Sequence, residues 1–225
     1  MTGVFLQARL DSSRLPGKAL MLLRGKALTL HAMESLKKIP VDFHVLVTEE
    51  GSAAAFKPLA ARAGFEFFIG SKLDVLGRFC AALEFFPAHT IIRATGDNPL
   101  VSWEMAVSLL EEHKKLDADY SAYSGLPLGC GVEIVRAACL QRAARESADP
   151  YDHEHVTPYL YKNPQFFTLH RPLAPACFRS RFSVSVDTQA DFDRVARVFD
   201  RLPLGSPAGM EGLVTVIRSL EAAAS

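Results

Sequence analysis

Over the first 115 residues, short apolar runs alternate with amphipathic segments, and that alternation fixes the class of fold open to the chain. Residues 4–6, 43–47, 65–69 and 90–94 are compact, mostly apolar runs of strand length. Between them, residues 29–37, 53–63, 75–85 and 103–115 repeat apolar side chains at helical spacing. Leu30, Met33 and Leu36 share one face, and so do Leu76, Phe79, Cys80 and Leu83. Gly64 stands where the second helix would need a left-handed C-cap. A β-α-β-α order of this kind predicts an α/β fold: a mostly parallel mixed sheet with helices on both faces. The second half is less regular. Residues 137–146, 190–201 and 213–220 read as helices, 182–186 as a strand ended by Asp187, and 149–161 as a loop or helix start. There is no internal repeat and no Pro/Ser-rich linker, so residues 1–225 are expected to form a single domain.

In an open parallel sheet, ligands bind beyond the carboxyl ends of the strands. The first such end carries Gln7-Ala8-Arg9-Leu10-Asp11-Ser12-Ser13-Arg14-Leu15-Pro16-Gly17-Lys18. Its backbone N–H groups and the charges of Arg9, Arg14 and Lys18 suit a polyphosphate. Gly17 permits close backbone approach, and Pro16 fixes the turn before Lys18. The spacing matches neither the Walker A loop nor the dinucleotide Gly-x-Gly-x-x-Gly pattern. A solvated basic loop is the alternative.

Two aspartates end other strands, Asp97 after 90–94 and Asp187 after 182–186. Each could cap a following helix. Set against a polyphosphate loop, the pair reads instead as a Mg²⁺ site, since magnesium takes one or two carboxylates plus phosphate oxygens and water. Lys18 and Asp97 are both expected to be solvent-accessible. His153 and His155, two residues apart, do not share a helix face and make a poor zinc signal.

Charge narrows the ligand. Lys+Arg and Asp+Glu both number 25, so the chain lacks the basic excess of proteins that grip nucleic acid by its backbone. A small phosphorylated ligand is expected, with no nucleic-acid partner. Cys80, Cys130, Cys139 and Cys177 form no metal-ligand spacing and are expected as free thiols. With no signal-peptide pattern and no apolar run of about 20 residues, a cytoplasmic protein without a membrane partner is expected.

Several segments, in order, resemble the sugar cytidylyltransferases, which include the CMP-Kdo and CMP-sialic acid synthetases. The likeness is closer to their relatives named for spore-coat polysaccharide biosynthesis. It rests on the opening loop, on Asp74-Val75-Leu76-Gly77-Arg78, and on Arg93-Ala94-Thr95-Gly96-Asp97-Asn98-Pro99-Leu100. Glu154-His155-Val156-Thr157-Pro158-Tyr159 and Val186-Asp187-Thr188 with Asp191-Phe192 complete it.

The resemblance implies a Rossmann-like nucleotide-diphosphosugar transferase fold, usually a homodimer, that transfers CMP from CTP to a sugar or sugar acid and releases pyrophosphate. It implies Arg9, Arg14 and Lys18 on the phosphates, with Ser13 and Thr95 beside the nucleotide. Backbone near Ala8, together with Ser71 and Arg78, would hold the nucleoside. Asp97 and Asp187 would hold Mg²⁺, and Glu133 and His155 would face the acceptor. Residues 1–120 would then be the nucleotide-binding half, 121–180 the acceptor-binding part, and 181–225 a metal-binding strand with C-terminal helices. The closer relatives usually carry Asp-Gly-x-Asp-Val-Glu in the middle segment. Here the run is Leu128-Gly129-Cys130-Gly131-Val132-Glu133, which keeps the glutamate and replaces both aspartates. That departure points to a different acceptor or a weakened acceptor site. The alternatives are a nucleotide-binding homologue without turnover and a glycosyltransferase. For the latter, Asp117-Ala118-Asp119 supplies an Asp-x-Asp motif by letters but follows a helix.

Overall fold

The computed structural model of the chain describes residues 1–205 and 207–223. The single-domain expectation over 1–225 also takes in Ser206, Ala224 and Ser225, which lie outside the described residues. In chain order the strands are β1 (Thr2–Gln7), β2 (Leu22–Leu23), β3 (Lys26–Ala27), β4 (Phe43–Glu49), β5 (Glu66–Gly70), β6 (Thr90–Thr95), β7 (Tyr120–Ala122), β8 (Glu133–Arg136) and β9 (Leu169–His170). The helices are α1 (Leu28–Leu36), α2 (Glu50–Ala63), α3 (Val75–Phe85), α4 (Trp103–Lys115), α5 (Ala137–Glu146), α6 (Pro150–His155), α7 (Pro158–Lys162), α8 (Gln189–Arg201) and α9 (Met210–Ala223).

The main sheet runs β5-β4-β1-β6-β8-β7-β9, and β2 and β3 form a separate hairpin. The β5-β4-β1-β6 block is parallel. β8 pairs antiparallel with both β6 and β7, which makes the sheet mixed. Both faces of the parallel block are covered, so its strands alternate between two cores rather than between core and water. Val4, Leu6, Leu46, Ile92 and Ala94 face one core with α1, α2 and α4. Phe5, Val45, Val47 and Ile91 face the other with α3 and α5. A third core joins α8 and α9 to Leu23, Leu28, Val184 and Val186.

Four segments depart from the sequence expectation. Residues 182–186 are extended but form no strand of the sheet. Their backbone meets Leu128 twice, through Leu128 N–H to the Phe182 carbonyl (2.9 Å) and Val184 N–H to the Leu128 carbonyl (2.7 Å). That is a single bridge, Leu128–Ser183. Residues 149–161 hold two short helices, α6 and α7, separated by Val156 at φ 75° and ψ −51°. The Thr157 N–H donates to the His155 carbonyl at 2.9 Å, a γ-turn that few β-branched residues adopt. The short strands β7 and β9 also lie in stretches without a periodic signal.

Candidate active site

The strand order reverses between β1 and β6, and the chain is opened there by backbone chemistry at both strand ends. Beyond β1, the Ala8 N–H reaches the Val47 carbonyl at 3.3 Å, and the Ala8 carbonyl accepts from Thr48 Oγ1 at 2.8 Å. The loop then closes on itself through the Gly17 N–H to the Leu10 carbonyl (3.1 Å). Gly17 sits at φ 71°, a left-handed conformation that suits glycine, just before a 3-10 turn that begins at Lys18. Beyond β6, the Gly96 N–H donates to the Gln7 carbonyl at 2.8 Å, and its carbonyl accepts from Thr29 Oγ1 at 3.1 Å. A Cβ on Gly96 would stand 2.9 Å from the Cβ of Ala8, so glycine lets the two strand ends approach.

A cavity of about 360 Å³ opens between these ends. Its loop side carries Ala8, Arg9, Ser12, Ser13, Arg14 and Lys18. Thr95, Gly96, Asp97 and Asp187 form a second wall, Arg78 and Arg93 a third, and Glu154 and His155 of α6 the rim. Five arginine and lysine side chains thus meet three carboxylates, which suits a polyanionic ligand.

Lys18 organises the acidic wall. Its Nζ donates to Asp97 Oδ2 at 3.0 Å, to Asp187 Oδ1 at 2.8 Å and to the Val186 carbonyl at 2.6 Å. Arg14 Nη2 lies 3.0 Å from the same Asp187 oxygen. Against the sequence expectation of a solvent-accessible lysine, Lys18 is buried, with 9% of its surface exposed, because the carboxylates draw it inward. Asp97 is further braced by Thr95 Oγ1 at 2.6 Å. Asp187 does not end a strand. It comes beside Asp97 because the Val186 N–H donates to the Asp97 carbonyl at 3.0 Å.

Neither aspartate caps a helix. Ser102 caps α4, accepting from the Met105 N–H. Thr188 caps α8 in a capping box with Asp191. Asp191 Oδ2 also accepts from the Asp187 N–H at 3.1 Å, so the cap of α8 fixes the backbone that carries Asp187. Burial raises the Asp191 pKa, but hydrogen bonds from Arg194 and Thr188 outweigh it and hold the carboxyl at about 2.

Two arginines line the cavity, Arg78 from a buried and Arg93 from a half-buried position. Arg78 is 2% exposed; its Nη1 donates to the Ser71 carbonyl at 2.8 Å, and its Nε has no partner among the described residues. Burial works against its charge and lowers its pKa. Arg93 is gripped by Gln7 Oε1, 3.1 Å from Nε and 3.0 Å from Nη2, while its Nη1 donates to Glu133. A guanidinium has five N–H donors, so one on each Nη of Arg93 stays available.

Two expected site residues lie off the cavity wall. Ser71 is exposed and serves Arg78 through its carbonyl, with its Oγ accepting from the Asp74 N–H at 3.0 Å. Glu133 is turned into the protein: Tyr120 and Thr157 each donate to its Oε1 at 2.7 Å, and Arg93 donates to Oε2. It supports Arg93 from behind the cavity wall. His155 is exposed at the rim, its ring 4.3 Å from that of Tyr151. Sequence reasoning missed Gln7, Arg93 and Glu154 as lining residues. A signal existed for Arg93, a charged side chain inside the apolar run Ile91-Ile92-Arg93-Ala94. Asp117 and Asp119 lie away from this wall. Asp119 accepts from Cys139 Sγ and the Thr168 N–H, and Asp117 pairs with Arg136.

The profile of the cytidylyltransferase family matches residues 4–203, most of the chain. The chain belongs to the cytidylyltransferase family. Among its relatives is the spore coat polysaccharide biosynthesis protein SpsF of Bacillus subtilis. The two are 30% identical over 221 residues, which cover 94% of this chain and 92% of SpsF. A solved cytidylyltransferase from Leptospira borgpetersenii superposes with a TM-score of 0.87 at 22% identity, covering 99% of this chain and 94% of its own. A CMP:2-keto-3-deoxy-manno-octonic acid synthetase complexed with CTP superposes at 0.69 and 16% identity, covering 88% and 98%. Both share the Rossmann-like fold of nucleotidyltransferases with this chain.

Proposed function

We propose that the chain transfers CMP from CTP to the hydroxyl of a sugar or sugar acid and releases pyrophosphate. The observation that carries this reading is the meeting, in one cavity at the strand-order reversal, of the Arg9–Arg14–Lys18 loop with Asp97 and Asp187. The related synthetase that holds CTP has the same fold, and SpsF is named for a polysaccharide. An activated sugar for a surface polysaccharide fits both.

In this reading the triphosphate lies along the loop, where Arg9, Arg14, Ser13 and backbone N–H groups supply donors. Arg78, buried and short of a partner at Nε, lines the nucleoside end beside Ala8 and Thr95. The sugar oxygen forms its bond to the α-phosphorus as the bond to the β-phosphate oxygen breaks. Such chemistry depends on positioning and charge neutralisation more than on a covalent partner.

A Mg²⁺ ion fits the acidic wall. The oxygens of two carboxylates, each within 3.0 Å of one ammonium nitrogen, already surround a cation, and Mg²⁺ needs only one or two carboxylates beside phosphate oxygens and water. When bound, it would neutralise phosphate charge and acidify the attacking hydroxyl. The acceptor would enter past Glu154 and His155, with Arg93 presented by Gln7 and Glu133. Leu128 and Gly131, in place of two aspartates, leave fewer groups for acceptor hydroxyls. A homodimer in the cytoplasm completes the proposal.

The test is calorimetry with CTP and Mg²⁺, followed by pyrophosphate release across a panel of sugars and sugar acids. CTP binding with turnover on one panel member is expected. No binding of any nucleoside triphosphate would remove the reading, and CTP binding without turnover on the whole panel would favour a non-catalytic homologue.

A further inference from the structure

We propose that Lys18 is the resident counter-ion of the metal position: without nucleotide, its ammonium neutralises Asp97 and Asp187 and keeps a divalent cation out. Three acceptors meet the three donors of the ammonium: Asp97 Oδ2 at 3.0 Å, Asp187 Oδ1 at 2.8 Å and the Val186 carbonyl at 2.6 Å. The group is therefore saturated, and its side chain is 11% exposed. It stands between the carboxylates, where a shared cation has to stand.

Charge leads to the same conclusion. Arg14 Nη2 adds a second cation to Asp187 Oδ1 at 3.0 Å, so two positive groups already answer two carboxylates. Among the described residues no cluster of three or more His, Cys, Asp or Glu side chains could hold a metal by itself. A dication arriving alone must displace Lys18 from three hydrogen bonds and then share a wall with Arg9, Arg14, Arg78 and Arg93. Desolvating it there without new anions is unfavourable.

A triphosphate reverses the balance. Its oxygens offer Arg14 and Lys18 better partners than shared carboxylates, and each carboxylate they leave becomes a metal ligand. The metal–triphosphate complex remains an anion, which the basic excess of the cavity favours. Metal and nucleotide thus bind with positive coupling, and the coupling is reciprocal. Arg14 and Lys18 lie on either side of Gly17, so a single rearrangement about that glycine can move both. This half of the inference rests on the CTP reading; the counter-ion role itself does not.

The test is Mn²⁺ binding to the full chain without nucleotide, read by the loss of the free Mn²⁺ electron paramagnetic resonance signal. Lys18→Met should bind Mn²⁺ at least tenfold more tightly than the native chain, and Lys18→Arg should stay weak. Arg14→Gln, an exposed position with no packing role, should tighten binding by a smaller factor and serves if Lys18→Met does not fold, as judged by circular dichroism. Equal Mn²⁺ affinity in the native chain and the folded variants overturns the proposal. So does absence of Mn²⁺ binding in every variant. CTP calorimetry on the native chain is run separately. Its failure removes the nucleotide reading and leaves the Mn²⁺ comparison decisive for Lys18.

Discussion

The Val186 N–H donates to the Asp97 carbonyl at 3.0 Å, and this one backbone contact brings the two acidic ends of the cavity together. Asp97 arrives by a strand of the sheet; Asp187 arrives by an extended segment that the third hydrophobic core holds through Val184 and Val186. Their common position is set by tertiary packing on α8 and α9. The cation between them comes from a third part of the chain, the loop beyond β1.

The close approach of the strand ends makes Gly96 sensitive. A Cβ there would stand 2.9 Å from Ala8 Cβ and 3.1 Å from Thr29 Oγ1. Gly96→Ala is expected to cost about 1–3 kcal/mol, the usual range for overpacking, and to widen the gap between the loop and Asp97. Urea denaturation measures the first effect and CTP calorimetry the second. Unchanged stability together with unchanged CTP affinity would count against a tight fit.

Glu133 and Arg93 should behave as a coupled pair. Glu133→Ala leaves the Arg93 guanidinium, 12% exposed, without its carboxylate, and should cost about 2 kcal/mol as a lost charged hydrogen bond. Glu133→Gln keeps an acceptor and should cost less. A double-mutant cycle with Arg93→Met should give a coupling of about 1 kcal/mol or more. Additive losses would mean that Glu133 works through Tyr120 and Thr157 alone.

Much of this was readable in the sequence, and for identifiable reasons. The bounds of α3, α4 and α5 match the helical periodicity residue for residue, because each is amphipathic and buries one face. Gly64 takes the left-handed C-cap at φ 67° that its position after α2 suggests. The opening loop and Asp97 line one cavity because strand ends converge in a parallel sheet, and Asp187 joins them through the Val186 N–H to Asp97 carbonyl contact instead. The strands β7 and β9 were not legible: each is held by partners distant in sequence, and β9 has only two residues. The run 182–186 alternates like a strand but finds one bridge partner, and alternation alone carries no information about who pairs. The burial of Lys18 is not legible because composition gives the charge of a side chain and not the carboxylates that bury it.

His153 should make stability depend on pH near neutrality. Its Nδ1 lies 2.7 Å from Asp74 Oδ1 and its Nε2 2.9 Å from the Ser147 carbonyl. The Asp74 hydrogen bond, then the Ser147 carbonyl, raise its pKa above 6.5. The folded state therefore holds the proton more tightly, and its contribution is fully present below pH 6.5. That contribution is lost as pH rises through the raised folded pKa. His153→Asn should flatten this part of a melting-temperature profile taken across neutral pH. A native profile without such a slope would mean that the Asp74 pairing adds nothing to stability.

Asp191 should act at low pH, and its loss should reach the wall that carries Asp97 and Asp187. Its carboxyl, held at about 2 against an ordinary 3.8, accepts from the N–H groups of Asp187 and Thr188 and pairs with Arg194 at 2.5 Å. A depressed folded pKa adds stability above 3.8 that is lost as pH falls through about 2. The shift corresponds to about 2 kcal/mol at neutral pH. Asp191→Asn should therefore lower stability at pH 7 and narrow the gap between variant and native chain in strong acid. The same substitution loosens the backbone of Asp187, so metal-supported turnover should fall more than CTP affinity measured without metal. Urea denaturation at neutral and acidic pH measures the stability effect, and turnover titrated with Mg²⁺ measures the coupling. Equal losses at both pH values would place the effect in the helix cap alone, independent of the carboxylate charge.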